Sequence, residues 1–185
     1  MKSISEILVT GTSQEKIKIL ETLTDVKNPE ILEKIILGLD DDDIQVRGEA
    51  FSSLVLNKNK IEKSLIRNLE SSNKNIKGFA SLVLANRNDS AAIPKIMKLV
   101  EDEHSMVRSC AIGALRHLKA LEAEKIILQS LLDSNLEVRK SALQAIINLN
   151  ITISEEKISE ISKENDPEIE KLLSELKYVL LTEVL

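Results

Sequence analysis

Few side chains in this chain have the chemistry to act on a substrate. There are two histidines, His104 and His117, and one cysteine, Cys110. Imidazoles can hold a metal or move a proton, and a thiolate can attack an electrophile. Neither histidine is followed by Glu. His117, with Arg116 and Lys119 close by, suits the negative end of a helix dipole, so packed or solvated roles are the expectation for both rings. Cys110 lies three residues past an apolar helical position and reads as a small packed hydrophobe. A lone cysteine forms no internal disulfide and no multi-thiolate metal site, which fits a reducing interior. The acidic run Asp40-Asp41-Asp42-Asp43 could surround a divalent cation, but it lacks the Gly and the distal bidentate Glu of a calcium loop. It reads as a solvated turn with a helix cap. No catalytic set, metal set or cofactor site is assigned.

The elements that carry these residues repeat. DSNLEVRKSALQAI (133–146) echoes DEHSMVRSCAIGAL (102–115), 31 residues earlier. With Val138 as anchor, the same register falls on Val107, Ile76 and Val46, and forwards on Ile169. Four residues after each anchor stand Ala50, Ala80, Ala111, Ala142 and Leu173; eight after the first four stand Leu54, Leu84, Leu115 and Ile146. Seven before are Leu39, Leu69, Val100 and Leu131, with Ser162 departing. Spacings of four and eight put an apolar stripe on one helix face, and the alanines suit a close helix crossing. Three residues before the anchor, Asp43, Asn73, Asn135 and Asp166 are N-cap residues. His104 breaks that column, and Ser105 is the expected substitute cap.

Upstream of each turn a second set of stripes predicts a partner helix: Ile31, Ile35, Leu39; Ile61, Leu65, Leu69; Ala92, Ile96, Val100; Ala123, Ile127, Leu131. Asn28-Pro29-Glu30 opens one of these helices, and Asp89-Ser90 is expected to cap another. At the start, a helix near Ile4–Val9 precedes Thr12-x-x-Glu15, a capping box for a helix to about Leu23. Only five Gly and three Pro interrupt the chain, hydrophobic residues make up 43% and aromatics 2%. A chain of this size buries roughly 70% of its extended surface, here in an aliphatic core. No helix pair could bury its stripes alone, so neighbouring hairpins must stack. The expected fold is all-α, a right-handed α-α superhelix (α-solenoid) of about six helical hairpins. The whole of 1–185 forms one domain in this reading, with units of approximately 1–27, 28–57, 58–88, 89–120, 121–151 and 152–185.

Two surface features follow. Arg47, Lys77, Arg108 and Arg139 each follow an anchor by one residue. They could grip an acidic partner or phosphates. They could equally pair with acids five residues before a neighbouring unit's anchor (Asp41, Asp102 or Asp133, with Ser71 a gap) and so fix the stacking register. The second reading is preferred. Residues two, six and nine past the anchors point away from the apolar stripe, toward the expected concave groove. They are Gly48, Ser52, Val55; Gly78, Leu82, Ala85; Ser109, Gly113, Arg116; and Lys140, Gln144, Ile147. Of these, Ser52, Val55, Leu82, Ser109, Gly113, Arg116, Lys140, Gln144 and Ile147 are the candidate partner-binding residues. Three of the chain's five glycines lie here, each costing about 1 kcal/mol in a helix relative to Ala. That cost suits close approach of a peptide or helix laid in the groove. At the other end Ile169, Leu173, Leu176 and Leu180 make a stripe, while Tyr178, Val179, Leu181 and Val184 fall outside it. An end-to-end homodimer through the C-terminal helix would cover them.

The D-x-x-V-R-x-x-A pattern of Asp43, Val46, Arg47 and Ala50, echoed at the other units, resembles the HEAT-like repeats of the phycobilisome-lyase type. The resemblance runs over nearly the full chain. It implies a scaffold for protein–protein interaction, with a protein or peptide partner and no bond chemistry. The alternative it implies is a chaperone-like or lyase-like protein handling a tetrapyrrole, a bilin, or its acceptor protein. Two enzyme classes built on similar repeats do not fit. Deoxyhypusine hydroxylase-like proteins hold irons with repeated His-Glu pairs, which are missing here. Repeat-built DNA glycosylases use a basic, aromatic face, whereas this chain has no Trp and a net charge of −5. That charge also disfavours nucleic acid, whose affinity comes from neutralised phosphates. The opening MKSISEILVTGTSQEK lacks a secretory pattern, and no run nears the ~20 apolar residues of a membrane span, so a cytoplasmic location is expected.

Overall fold

The computed structural model describes residues 2–164 and 166–182, with backbone alone for 164 and 178–182. Among the described residues there are twelve α-helices and no strand. They are α1 (Ile4–Thr10), α2 (Ser13–Leu20), α3 (Pro29–Leu37), α4 (Ile44–Leu56), α5 (Glu62–Asn68), α6 (Lys74–Asn86), α7 (Ile93–Leu99), α8 (Ser105–His117), α9 (Glu124–Gln129), α10 (Leu136–Leu149), α11 (Glu155–Ile161) and α12 (Pro167–Thr182). The chain divides into two compact units, Met1–Ile96 and Met97–Leu185. In the first, α1, α3 and α5 pack in series, and so do α2, α4 and α6, each hairpin lying against the next in chain order. In the second, α10 packs against α8, α12 and α9.

The repeated columns are the core. Val46, Ile76, Val107, Val138 and Ile169 are all buried, as are the four alanines that follow them and Leu54, Leu84, Leu115 and Ile146. Each fully buried Leu or Ile contributes about 1.5–3 kcal/mol relative to exposure. The first helices are shorter than the second. In α3 and α9 the last turn tightens into 3-10 segments, Gly38–Asp40 and Ser130–Leu132. The tightening brings Leu39 and Leu131 into the core at 0% and 2% exposure.

Helix starts follow the sequence closely. Thr12 and Glu15 form the capping box of α2, and Ser3 with Glu6 forms another on α1 that the sequence reading passed over. Asn28 caps α3 with Pro29 in its first turn, and Asp43, Asn73, Asn135 and Asp166 accept N–H groups of α4, α6, α10 and α12. Two expectations fail. Ser105 is the first residue of α8 itself, and His104 occupies the cap position without a side-chain capping bond. Instead the Asp102 carboxylate accepts from the His104 backbone N–H at 2.9 Å. Asp89 makes no capping bond either, because its carboxylate accepts from Arg87 Nε at 3.2 Å.

Helix ends show a column of their own. Asn88, Lys119 and Asn150 all adopt left-handed backbone, at φ of 57°, 53° and 53°. The next residues, Asp89, Ala120 and Ile151, donate back to the carbonyls of Leu84, Leu115 and Ile146, each at 3.0 Å. This 6→1 closure satisfies carbonyls the helix leaves open. The α4 end is finished differently, by Arg87 reaching back from α6. Its Nη1 donates to the carbonyls of Leu54 at 3.1 Å and Asn57 at 2.6 Å, and its Nη2 to Asn59 at 2.9 Å.

Candidate partner-binding faces

The charged ladder is the first feature to take shape, because a cation one residue past the anchor lies over the turn that precedes its own helix. Arg47, Arg108 and Arg139 each donate through Nη1 to a carbonyl of that turn: Asp41 O at 2.6 Å, Asp102 O at 2.9 Å and Asp133 O at 2.6 Å. In the second unit Arg108 also forks onto Asp133, Nε and Nη2 each 2.7 Å from a carboxylate oxygen. Both side chains are only 13% and 12% exposed. The guanidinium holds the Asp133 carboxyl below the ordinary carboxylate range. In the first unit Lys16 pairs with Asp41 at 2.6 Å in the same relation. Lys16 is a ladder cation the apolar anchors did not reveal; counted four residues from its cap Thr12, it matches Arg47 from Asp43. Arg47 itself forms no ion pair with a carboxylate among the described residues, although its charge helps to lower the Asp43 pKa after the hydrogen bonds from Ser13 and the Gln45 N–H. Ser71 stands where the acid would be, and its hydroxyl accepts from the Asn73 N–H at 3.1 Å. The Nε and Nη2 groups of Arg47 have no hydrogen-bond partner among the described residues.

The predicted groove residues fall on second helices, as expected, and their surroundings differ. Ser52, Val55 and Leu82 are half-buried on α4 and α6. Gly78 and Ala85, on the same face of α6 as Leu82, are by contrast buried. In the second unit Ser109 shares a hydroxyl–hydroxyl bond of 2.7 Å with Ser141. Arg116 touches Asn148 Oδ1 at 3.5 Å. Lys140 lies among three carboxylates, Glu168 at 2.8 Å, Glu137 at 3.3 Å and Asp166 at 3.4 Å. The Glu168 hydrogen bond, foremost among these, raises its pKa. Gly113 and Ile147 are half-buried and Gln144 is exposed.

Between α4 and α6 lies a concavity of about 390 Å³ lined by Ile44, Arg47, Gly48, Phe51, Phe79 and Leu82. Its walls are apolar apart from Arg47. The chain's two phenylalanines both line it. A Cβ built on Gly48 would meet nothing within 4 Å, so the concavity is open there.

The other singled-out residues are engaged structurally. Asp40 accepts from Asn75 Nδ2 at 2.7 Å and from Asn73, Asp41 holds Lys16, and Asp43 caps α4. Burial pushes the Cys110 thiol up to about 11, away from the thiolate. His104 accompanies Asp102 at 3.2 Å, and His117 is exposed. The side chains of Tyr178, Val179, Leu180, Leu181 and Val184, on which end-to-end pairing would rest, lie outside the described residues. No described helix is long and apolar enough to cross a membrane.

A family model for HEAT repeats matches residues 61–147. Among solved structures, a designed armadillo repeat protein in complex with the peptide (KR)4 is 16% identical, with 95% of this chain and 97% of that one covered and a TM-score of 0.60. An engineered protein is 16% identical over 98% of both chains, at a TM-score of 0.57. The complex of CpcE and CpcF of phycocyanin lyase from Nostoc sp. PCC7120 is 19% identical, with 92% and 73% covered and a TM-score of 0.57. A search among curated proteins finds no match. The fold is therefore that of the all-α helical-repeat solenoids. Within that class, residues 61–147 form HEAT-like repeats.

Proposed function

We propose that this protein is a non-enzymatic interaction scaffold, presenting second-helix faces to a peptide or protein segment. Ser52, Val55 and Leu82 belong to the face of the first unit. Ser109, Gly113, Arg116, Lys140, Gln144 and Ile147 belong to that of the second. The observation that carries this reading is the apolar concavity between α4 and α6, open at Gly48. Surfaces of this kind, with a few polar groups at an apolar site, bind by burial and orientation. The designed armadillo protein in complex with a peptide lends the same fold to that role. The test is selection from a displayed random-peptide library on the purified chain. Wild type enriches a consensus that Leu82→Glu together with Gly113→Arg fails to enrich, while the helical melt of the variant stays close to wild type. Equal enrichment by the variant removes these faces from the function.

The second reading, a chaperone-like or lyase-like handling of a tetrapyrrole, has the likeness to the phycocyanin lyase complex in its favour. Mixing the purified chain with a bilin or haem distinguishes the two. A saturable absorbance shift supports tetrapyrrole handling, and an unchanged spectrum removes it.

A further inference from the structure

We propose that the α4/α6 concavity recognises a peptide segment in which a large apolar side chain stands beside a carboxylate, the apolar group seated between Phe51 and Phe79 and the carboxylate held by Arg47. This deepens the scaffold reading and rests on it. Three observations define the occupant. The floor is aromatic and aliphatic, from Phe51, Phe79 and Leu82, in a chain whose aromatic content is only 2%. A bulky apolar group buried there gains area, and an aromatic one gains ring contact as well.

The wall carries one cation whose fork is half used. Arg47 Nη1 is taken by the carbonyls of Asp41 and Asp42, leaving Nε and Nη2. In Arg108 the same two groups hold the Asp133 carboxylate at 2.7 Å. The second unit thus displays, within one chain, the ligand that this fork accepts: a carboxylate, bound side-on through two parallel hydrogen bonds. Nearby acids of the first unit do not serve. The Asp41 carboxylate holds Lys16 and accepts the Asp43 N–H; Asp43 is engaged by Ser13 and the Gln45 N–H, and feels the Arg47 charge without a hydrogen bond from its guanidinium. A single cation in a chain of net charge −5 does not suit a polyanion. Third, the site is open. Ile44 on its edge is 72% exposed, and Gly48 leaves space for a main chain to pass. Small ligands are held by pockets that bury most of their surface; an open edge of this kind fits one side chain of a longer segment.

The experiment is an NMR titration of the isotopically labelled full chain with Gly/Ser octapeptides carrying Leu, Phe or Trp beside Glu. Companion peptides carry Gln for Glu, or Ala for the apolar residue. The Glu peptides shift Gly48, Phe51, Phe79 and Leu82 saturably, the Gln companions bind about tenfold more weakly, and the Ala companions show no saturation. Arg47→Gln makes Glu and Gln peptides equal while the helical melt is retained. Equal affinity of Glu and Gln peptides for the wild type overturns the proposal. So does phenylacetate or hexanoate binding as tightly as the peptides, which would make the occupant a small acid. Shifts confined to Gln144 and Ile147 overturn it but leave the scaffold standing. Octapeptides that perturb no second-helix face overturn it too, and the displayed-library selection then decides separately whether the scaffold reading falls with it.

Discussion

The two units finish one repeat differently around a single cation, Arg47 in the first and Arg108 in the second. In Met97–Leu185 the polar groups of the second helices close on each other: Arg108 on Asp133, Ser109 on Ser141, Lys140 on Glu137, Asp166 and Glu168. In Met1–Ile96 the repeat position that would supply an acid to the corresponding Arg47 is Ser71, and Gly48 stands where Ser109 does. A concavity lined by both phenylalanines opens beside them. The apolar seam beneath is the same in both, with the same column of buried anchors. A repeat's core sets the fold, and single changes on its outer positions decide whether a face holds its neighbour or stays open to a partner.

The comparison can be strained from both sides. The largest effect is in the shared seam. Leu84→Ala and Leu115→Ala, both at 0% exposure in the same column, each cost about 3 kcal/mol by chemical denaturation. A marked inequality would show that the seams are not equivalent. Next comes the ion pair. Asp133→Ala leaves the Arg108 guanidinium largely buried without its partner and costs about 2 kcal/mol, whereas Arg47→Ala costs under about 1 kcal/mol. Acid dependence follows the same line. Because Arg108 depresses the Asp133 pKa, that carboxylate's stabilisation is complete above its unfolded value of about 4. It is lost as the pH falls through the folded value, so Asp133→Asn unfolds with a shallower acid dependence than wild type. The smallest effect is at a helix end. Lys119 is held at φ 53° where the equivalent positions are Asn88 and Asn150. Lys119→Asn relieves that position and adds about 0.5 kcal/mol, read as a small rise in Tm.

Most of the fold was legible because it is written in apolar columns and caps, which physics repeats with the period. Ala50, Ala80, Ala111 and Ala142 predicted close crossings, and all four are fully buried. The helix ends were not legible, since Asn88, Lys119 and Asn150 share a backbone conformation rather than a residue type. Lys16 escaped for a related reason. The first hairpin has Glu15 where the apolar anchor would fall, so distance from the cap Thr12 is what places Lys16 in the ladder. The site was half visible. Leu82 and Gly48 were reached by helical geometry, but Phe51 and Phe79 occupy different positions relative to their anchors, so no repeated column joins them. Their rarity in a chain with two phenylalanines was the available signal. That Gly78 and Ala85 are buried was not legible, because a helical wheel gives direction but not the depth to which neighbouring helices cover a face.

The most direct test supplies the first unit with the acid that the second already has. Ser71→Asp places a carboxylate opposite Arg47, and titration of this variant with a Leu-Glu octapeptide is compared with wild type by the amide shifts of Gly48 and Leu82. The account predicts a variant as stable as wild type or slightly more so, in which the preference for Glu over Gln peptides is gone. A Ser71→Asp chain that still prefers the Glu peptide as strongly as wild type would contradict it.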